Sequence, residues 1–181
     1  ININSNFAEA YNNLGNAFVF KDDLRKALEN FEKALKINTS YSEAYNNLGY
    51  VNKILGKEAE ALNCYQQAIK FKPDYAQAYN NIGIIFNDRG NFDEALKSYK
   101  KATRVKPNYA KSYKYLGNLL NDLGQFDEAT AAYNQAIKIK PDYHTVYSNL
   151  LFNLNYKTDF DPKLYLSIAK KFRLNCKIIK K

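Results

Sequence analysis

A five-residue sequence recurs along this chain at a constant interval of 34 residues. Tyr-Asn-Asn-Leu-Gly begins at Tyr11 and again at Tyr45, and related pentapeptides begin at Tyr79, Tyr113 and Tyr147. A constant period of this length indicates one supersecondary unit that stacks on copies of itself. The 181 residues therefore predict a single solenoid without a global core, and repeat arrays of this kind make surfaces that hold other proteins.

Each period contains two helical stretches. In the first period, apolar residues recur at helical spacing from about Ala8 to Phe20 and from about Asp23 to Ile37. Later periods have a glycine between the two stretches, where a positive φ can end the first helix: Gly56, Gly90 and Gly124. Prolines close the second helix at Pro73, Pro107 and Pro141. Asp22 stands at the turn position of the first period.

Glycine also recurs in the middle of the first helix, at Gly15, Gly49, Gly83 and Gly117. Each costs about 0.5–1 kcal/mol relative to alanine, so its repetition needs a steric reason. We expect two helix backbones to approach closely there, with small residues facing the glycines from the second helix: Ala27, Ala61, Ala95 and Ala129. Aromatic residues would then fill the space between neighbouring hairpins: Phe31, Tyr65, Tyr99 and Tyr133.

This pattern of residues resembles the tetratricopeptide repeat. The second unit supplies every residue of the family pattern, namely Tyr45, Leu48, Gly49, Ala61, Tyr65, Ala68 and Pro73. The resemblance implies an all-α, right-handed superhelical solenoid of antiparallel helix hairpins. It divides the chain into the end of a preceding repeat (1–7), four repeats (8–41, 42–75, 76–109 and 110–143), and a degenerate fifth unit with capping helices and a basic tail (144–181).

The two ends of the chain support this division. Residues Ile3 to Phe7 resemble the segment from Ile37 to Tyr41, and the sequence contains no methionine. We therefore interpret the chain as part of a longer array. Residues 157–181 carry six of the nine net positive charges. This basic tail could contact nucleic acid or a membrane surface. We favour the alternative that it is a solvent-exposed segment that leads into a further domain.

The rest of the composition narrows the class of protein. No run of 18 apolar residues and no signal peptide is present, which favours a protein without a membrane partner. Cys64 and Cys176 are too few for a disulfide framework, so we expect a cytoplasmic location. The sequence leaves a homo-oligomer open and supplies no argument for one.

Resemblance to the family also implies where a ligand binds, because the first helix of each hairpin lines the concave face. Ten of the 24 corresponding positions are asparagine. Asparagine offers both a donor and an acceptor, so a ladder of these side chains can grip the backbone of an extended peptide. Fifteen residues form the predicted peptide-binding site: Asn12, Asn13, Asn16, Asn46, Asn47, Tyr50, Asn80, Asn81, Ile84, Asn87, Lys111, Lys114, Tyr115, Asn118 and Asn121.

Several interpretations of this groove remain open. Either the asparagines form a ladder that binds a peptide, or their number reflects a residue common at this position of the family and a biased amino-acid composition. The apolar groove residues Phe20, Tyr50, Ile84 and Tyr115 form either pockets for ligand side chains or contacts between repeats. A carboxylate clamp for chaperone tails is not expected to be complete. Starting at the first repeat, its three cations are missing; starting at the fourth, Lys114, Asn118 and Asn149 fit, but no third repeat follows. Nucleic acid is not expected in the groove, because the cations there are few.

Catalysis and cofactors are not expected in this chain. His144 is its only histidine, and no nucleophile elbow, phosphate-binding loop or paired CxxC motif occurs. The segment from Tyr147 to Phe172 resembles the junction that follows the repeats in bacterial relatives of O-linked N-acetylglucosamine transferase, whose asparagine-rich repeats bind protein substrates. Two functions follow: a protein-interaction module that binds an extended peptide, or the substrate-recognition arm of a larger glycosyltransferase of that kind.

Overall fold

The computed structural model describes residues 3–156 and 161–178. Within those residues the chain forms ten α-helices and no strand: α1 (Ile3–Phe20), α2 (Leu24–Ile37), α3 (Ser42–Ile54), α4 (Glu58–Phe71), α5 (Ala76–Asp88), α6 (Phe92–Val105), α7 (Ala110–Asp122), α8 (Phe126–Ile139), α9 (His144–Leu154) and α10 (Pro162–Ile178). Helices α1 to α8 pair into four hairpins, and the second helix of each packs on the first helix of the next. The predicted all-α superhelical repeat is confirmed.

Tight turns join the two helices of each hairpin. Gly56, Gly90 and Gly124 have φ angles of 74°, 74° and 73°, as the sequence predicted. Asp22 takes the same left-handed conformation in the first hairpin, with φ 59°. The next residue, Asp23, caps α2, because its Oδ1 accepts a hydrogen bond from the Lys26 backbone amide at 3.1 Å.

The helical glycines face aromatic rings rather than helix backbones. A Cβ on Gly83 would lie 2.5 Å from Cε1 of Tyr99, and Gly15, Gly49 and Gly117 face Phe31, Tyr65 and Tyr133 in the same way. Only at Gly49 is a backbone atom among the nearest neighbours, namely the Ala61 carbonyl oxygen at 3.1 Å. The expectation that two helix backbones meet at these glycines is therefore mostly wrong, because an aromatic ring lies against each glycine. The aromatic side chains fill space within their own hairpins, where we had expected them to lie between neighbouring hairpins.

Replacing Gly83 with alanine is expected to lower the free energy of unfolding by about 1–3 kcal/mol, even though alanine favours the helix. The new methyl group would overlap the buried Tyr99 ring, which has little room to move. Urea unfolding followed by circular dichroism measures the loss. In a Tyr99→Leu background the same glycine substitution should cost much less, and an equal cost in both backgrounds would contradict the steric explanation.

Both ends of the array are helical within the described residues. Residues 3–7, predicted to end a preceding repeat, continue α1, because they contain neither proline nor glycine to break it. Most of the predicted basic tail is helix α10, and it packs on α9 through Ile168 and through Phe172, whose ring centroid lies 6.0 Å from that of Tyr147. Residues 1–2, 157–160 and 179–181 of these predicted segments lie outside the described residues.

The first helices begin where the predicted units begin. Helices α3, α5, α7 and α9 start at residues 42, 76, 110 and 144. Each period therefore places the same side chains on the same helical face. None of the helices in the described part of the chain is both long and apolar enough to cross a membrane.

Candidate functional site

Three consecutive hairpins contribute to the lining of one pocket, which we call the main pocket for this reason. It has a volume of about 280 Å³ and lies on the groove, by which we mean the surface formed by the side chains of α1, α3, α5 and α7. Its lining residues are Asn46, Asn47, Tyr50, Lys53, Tyr65, Gln77, Asn80, Asn81, Ile84, Tyr109, Lys111 and Tyr115. Eight of the fifteen predicted site residues therefore meet in this pocket.

The other predicted residues are spread along the chain. Asn118 and Asn121 line a pocket of about 250 Å³ with Tyr133 and Asn149. Asn16 lines a pocket of about 410 Å³ together with Asn47. Four predicted residues line none of these three pockets: Asn12, Asn13, Asn87 and Lys114.

The asparagines at the fifth position of the unit are buried between repeats. Asn12, Asn46 and Asn80 are 0%, 6% and 2% exposed. Asn47 donates through Nδ2 to Oδ1 of Asn12 at 3.0 Å, and Asn81 donates in the same way to Asn46 at 2.9 Å. Asn80 donates to Oγ of Ser112 at 2.9 Å. These three side chains join neighbouring repeats, and Asn46 and Asn80 also line the pocket described above.

The asparagines at the sixth position are more accessible. Asn13 is exposed and makes no side-chain hydrogen bond within the described residues, while Asn47 and Asn81 are half-buried. Each amide nitrogen carries two hydrogens, so Asn47 and Asn81 keep one donor beyond the bond to the preceding repeat. The two rows therefore differ in what they can do: the fifth-position row links the repeats, and the sixth-position row retains hydrogen-bonding capacity.

The apolar groove residues divide between the two interpretations left open by the sequence. Phe20 and Tyr50 are 92% and 47% exposed. Ile84 packs against the buried cluster around Tyr99 and Leu119. The ring of Tyr115 stacks on that of Tyr99, with centroids 5.6 Å apart and planes 12° apart. Tyr50 is thus the open aromatic surface of the main pocket, and Tyr115 forms a wall held by the preceding repeat.

Two lysines bring positive charge to one side of the pocket. The ammonium groups of Lys111 and Lys114 lie 5.8 Å and 5.2 Å from the centroid of the Tyr115 ring. Burial, and then the charge of Lys111, lowers the pKa of Lys114. Lys53, which also lines the pocket, pairs with Asp88 at 2.9 Å. Among the described residues, neither Lys111 nor Lys114 forms such an ion pair, so the charge there is uncompensated.

The predicted site did not include a row of tyrosines that precede the first helices. The ammonium group of the lysine three residues earlier lies over each ring, at 5.3 Å for Tyr75, 5.3 Å for Tyr109 and 5.2 Å for Tyr143. Tyr109 reaches the main pocket. These tyrosines also recur every 34 residues, which could have identified them. A tyrosine beside the start of a helix is usually a packing residue, however, so the period alone did not indicate a binding role.

A solenoid of helical hairpins with a polar groove across several repeats is the architecture of a class of protein-interaction modules. The model of the tetratricopeptide repeat matches residues 6–74, 41–108 and 74–142, so the chain belongs to the tetratricopeptide repeat family. Among the described residues, no three His, Cys, Asp or Glu side chains lie close enough together to hold a metal ion.

Solved structures share this fold at low sequence identity. A crystal structure of MamA is 22% identical with a TM-score of 0.72, and the match covers 93% of this chain and 91% of that one. PilF of Pseudomonas aeruginosa is 18% identical with a TM-score of 0.83, over 95% of this chain and 78% of that one. YrrB, described as a TPR protein with an unusual peptide-binding site, is 21% identical with a TM-score of 0.64, over 91% and 84%. No curated protein matches the sequence significantly.

Proposed function

We propose that this chain binds an extended segment of a partner protein along the groove. One observation carries the proposal: the first helices of three successive hairpins contribute polar side chains to a single pocket of about 280 Å³. A surface that continues from repeat to repeat suits a ligand that is itself extended. YrrB, which shares the fold, is described as having a peptide-binding site, in keeping with a peptide ligand for this chain.

Accessible asparagines supply hydrogen bonds to the partner's backbone. An extended segment presents alternating N–H and C=O groups, and an amide side chain can meet either one. Each neutral hydrogen bond contributes only about 0.5–1.5 kcal/mol, so the groove needs several. The bonds from Asn47 to Asn12 and from Asn81 to Asn46 hold two of these side chains in place before binding. This preorganisation reduces the entropy lost when the partner binds.

The positive charge of the two lysines on α7 favours an acidic residue in the part of the partner that lies beside them. Lys111 and Lys114 form no ion pair within the described residues, and a carboxylate of the partner would compensate them. Two cations are too few for a nucleic-acid backbone, whose recognition usually takes a continuous basic surface. The proposed ligand is therefore a polypeptide.

Replacing Asn13 and Tyr50 together by alanine is expected to weaken peptide binding about tenfold or more, because two contacts are lost. Neither side chain forms a hydrogen bond between repeats, so the melting temperature should stay near the wild-type value. Peptides selected on the wild-type protein from a displayed random 12-residue library serve as the probe, with affinity measured by fluorescence polarisation.

The matched control is Asn63→Ala with Asn134→Ala, two exposed asparagines on the second helices α4 and α8. This control should bind the selected peptides with wild-type affinity. If the library yields no binding peptides, or if the groove variant and the control bind equally well, the proposed function is wrong.

A second proposal concerns the segment after the repeats. Helix α10 packs on α9, yet it leaves Leu164, Leu166 and Leu174 exposed by 44%, 56% and 62%. Exposed leucines of this kind suit a following domain, in keeping with the substrate-recognition arm of a glycosyltransferase. The coding sequence downstream of Lys181 tests this directly. An α/β domain that binds a sugar nucleotide would support the proposal, and a stop codon there would end it.

A further inference from the structure

Two residues that line the main pocket each carry a buried polar atom that has no hydrogen-bond partner within the described part of the chain. Tyr65 is 0% exposed and Asn80 is 2% exposed, and both line the pocket of about 280 Å³. The Tyr65 hydroxyl makes no hydrogen bond, and Oδ1 of Asn80 accepts none, although Nδ2 of Asn80 donates to Ser112. Buried polar atoms are rarely left in this state, because each loses its bonds to water on folding.

Packing does not explain the Tyr65 hydroxyl. The equivalent residue of the first repeat is Phe31, which is also fully buried against a glycine, so a ring without an oxygen fills this position. In the fourth repeat the equivalent hydroxyl, that of Tyr133, donates to Oδ1 of Asn118 at 3.1 Å. Tyr65 thus carries a hydroxyl that the fold does not require and that no internal acceptor uses.

The unused atoms define the chemistry of the group that fits them. Tyr65 supplies a donor and Asn80 supplies an acceptor, between walls formed by Tyr50, Ile84 and Tyr115. A carboxylate has no hydrogen for the Asn80 oxygen, and an alkylammonium has no acceptor for the Tyr65 hydroxyl. Either charge would also lose its hydration in the pocket, whereas a neutral group loses less. A carboxamide carries one acceptor oxygen and a donor nitrogen, which matches both atoms.

We infer that this pocket receives the carboxamide side chain of a glutamine or asparagine in the bound segment. The inference rests on the proposed function, because it names the side chain that such a segment inserts between repeats two and four. The carboxamide oxygen accepts from the Tyr65 hydroxyl, and its nitrogen donates to Oδ1 of Asn80. The methylene stem lies between the aromatic and aliphatic walls, while the backbone of the segment stays at the level of the accessible asparagines.

Tyr65→Phe separates a ligand contact from a structural one. We expect the variant to be at least as heat-stable as the wild type, because an unpartnered buried hydroxyl is removed. It should bind peptides from the selected 12-residue library about tenfold more weakly, as the loss of one buried hydrogen bond implies. The matched variant Tyr133→Phe removes a hydroxyl that already has an internal partner, and it should bind the same peptides normally.

The peptides themselves provide the second measurement. We expect one position of the selected sequences to be enriched in glutamine or asparagine. Replacing that residue by leucine should weaken binding to the wild-type protein about tenfold, and it should change binding to the Tyr65→Phe variant little. If the peptides bind through Asn13 and Tyr50 but show no such position, or if Tyr65→Phe binds them normally, the inference fails and the proposed function stands. If no peptide binds the groove, both fail. A selected glutamate or tyrosine at that position would also overturn the carboxamide assignment.

Discussion

Replacing both Asn47 and Asn81 by alanine is expected to lower the free energy of unfolding by roughly 2–6 kcal/mol. Each substitution removes the donor to a buried carbonyl of the preceding repeat, at 3.0 Å for Asn12 and 2.9 Å for Asn46. The two acceptors are then left without those bonds at the interface between hairpins. In a solenoid, whose stability depends on contacts between neighbouring repeats, this loss weakens two consecutive interfaces.

Asn13→Ala is the matched control for this prediction. Asn13 occupies the same position of the first repeat, is exposed, and makes no side-chain hydrogen bond within the described residues. Its replacement should leave urea unfolding, followed by circular dichroism at 222 nm, close to that of the wild type. A double variant as stable as Asn13→Ala would show that the interrepeat amide bonds contribute nothing to stability.

Raising the pH above about 10 is expected to destabilise the folded protein. Burial raises the pKa of Tyr65, Tyr99 and Tyr133 above the ordinary value near 10. The unfolded chain therefore releases these protons at lower pH than the folded chain does. The contribution of these tyrosines to the free energy of unfolding is therefore fully present below about pH 10. As the pH rises above about 10, the free energy of unfolding falls by about 1.4 kcal/mol per pH unit for each tyrosine.

Thermal melts between pH 8 and pH 12 measure this effect, with phenolate absorbance recorded in parallel. The absorbance of the three buried tyrosines should appear together with loss of helix. The control is the triple variant Tyr65→Phe, Tyr99→Phe and Tyr133→Phe, which Phe31 shows to be compatible with the hairpin. Its melting temperature should depend less on pH above 10. An identical pH dependence in the triple variant would assign the alkaline transition to other groups.

Local features of the chain were predictable because they depend on neighbours in sequence. The 34-residue period predicted stacked hairpins, and the turn glycines predicted positive φ at Gly56, Gly90 and Gly124; both are confirmed. The mid-helix glycines signalled a close contact, but their partner in contact was an aromatic ring of the same hairpin. Periodicity tells which face of a helix is buried, and it does not tell which atom lies against that face.

The binding surface required the tertiary structure. The sequence by itself determined that the chain is a tetratricopeptide solenoid with asparagine-rich first helices, because period and residue type are local properties. The structure decided that Asn12 and Asn46 are buried links while Asn13 is open, although all three are asparagines in the same repeated motif. It also decided that the Tyr65 hydroxyl has no partner and that of Tyr133 has one. The physical reason is that a side-chain hydrogen bond depends on which side chains the fold brings face to face, either within one hairpin, as for Tyr133 and Asn118, or between repeats, as for Asn47 and Asn12.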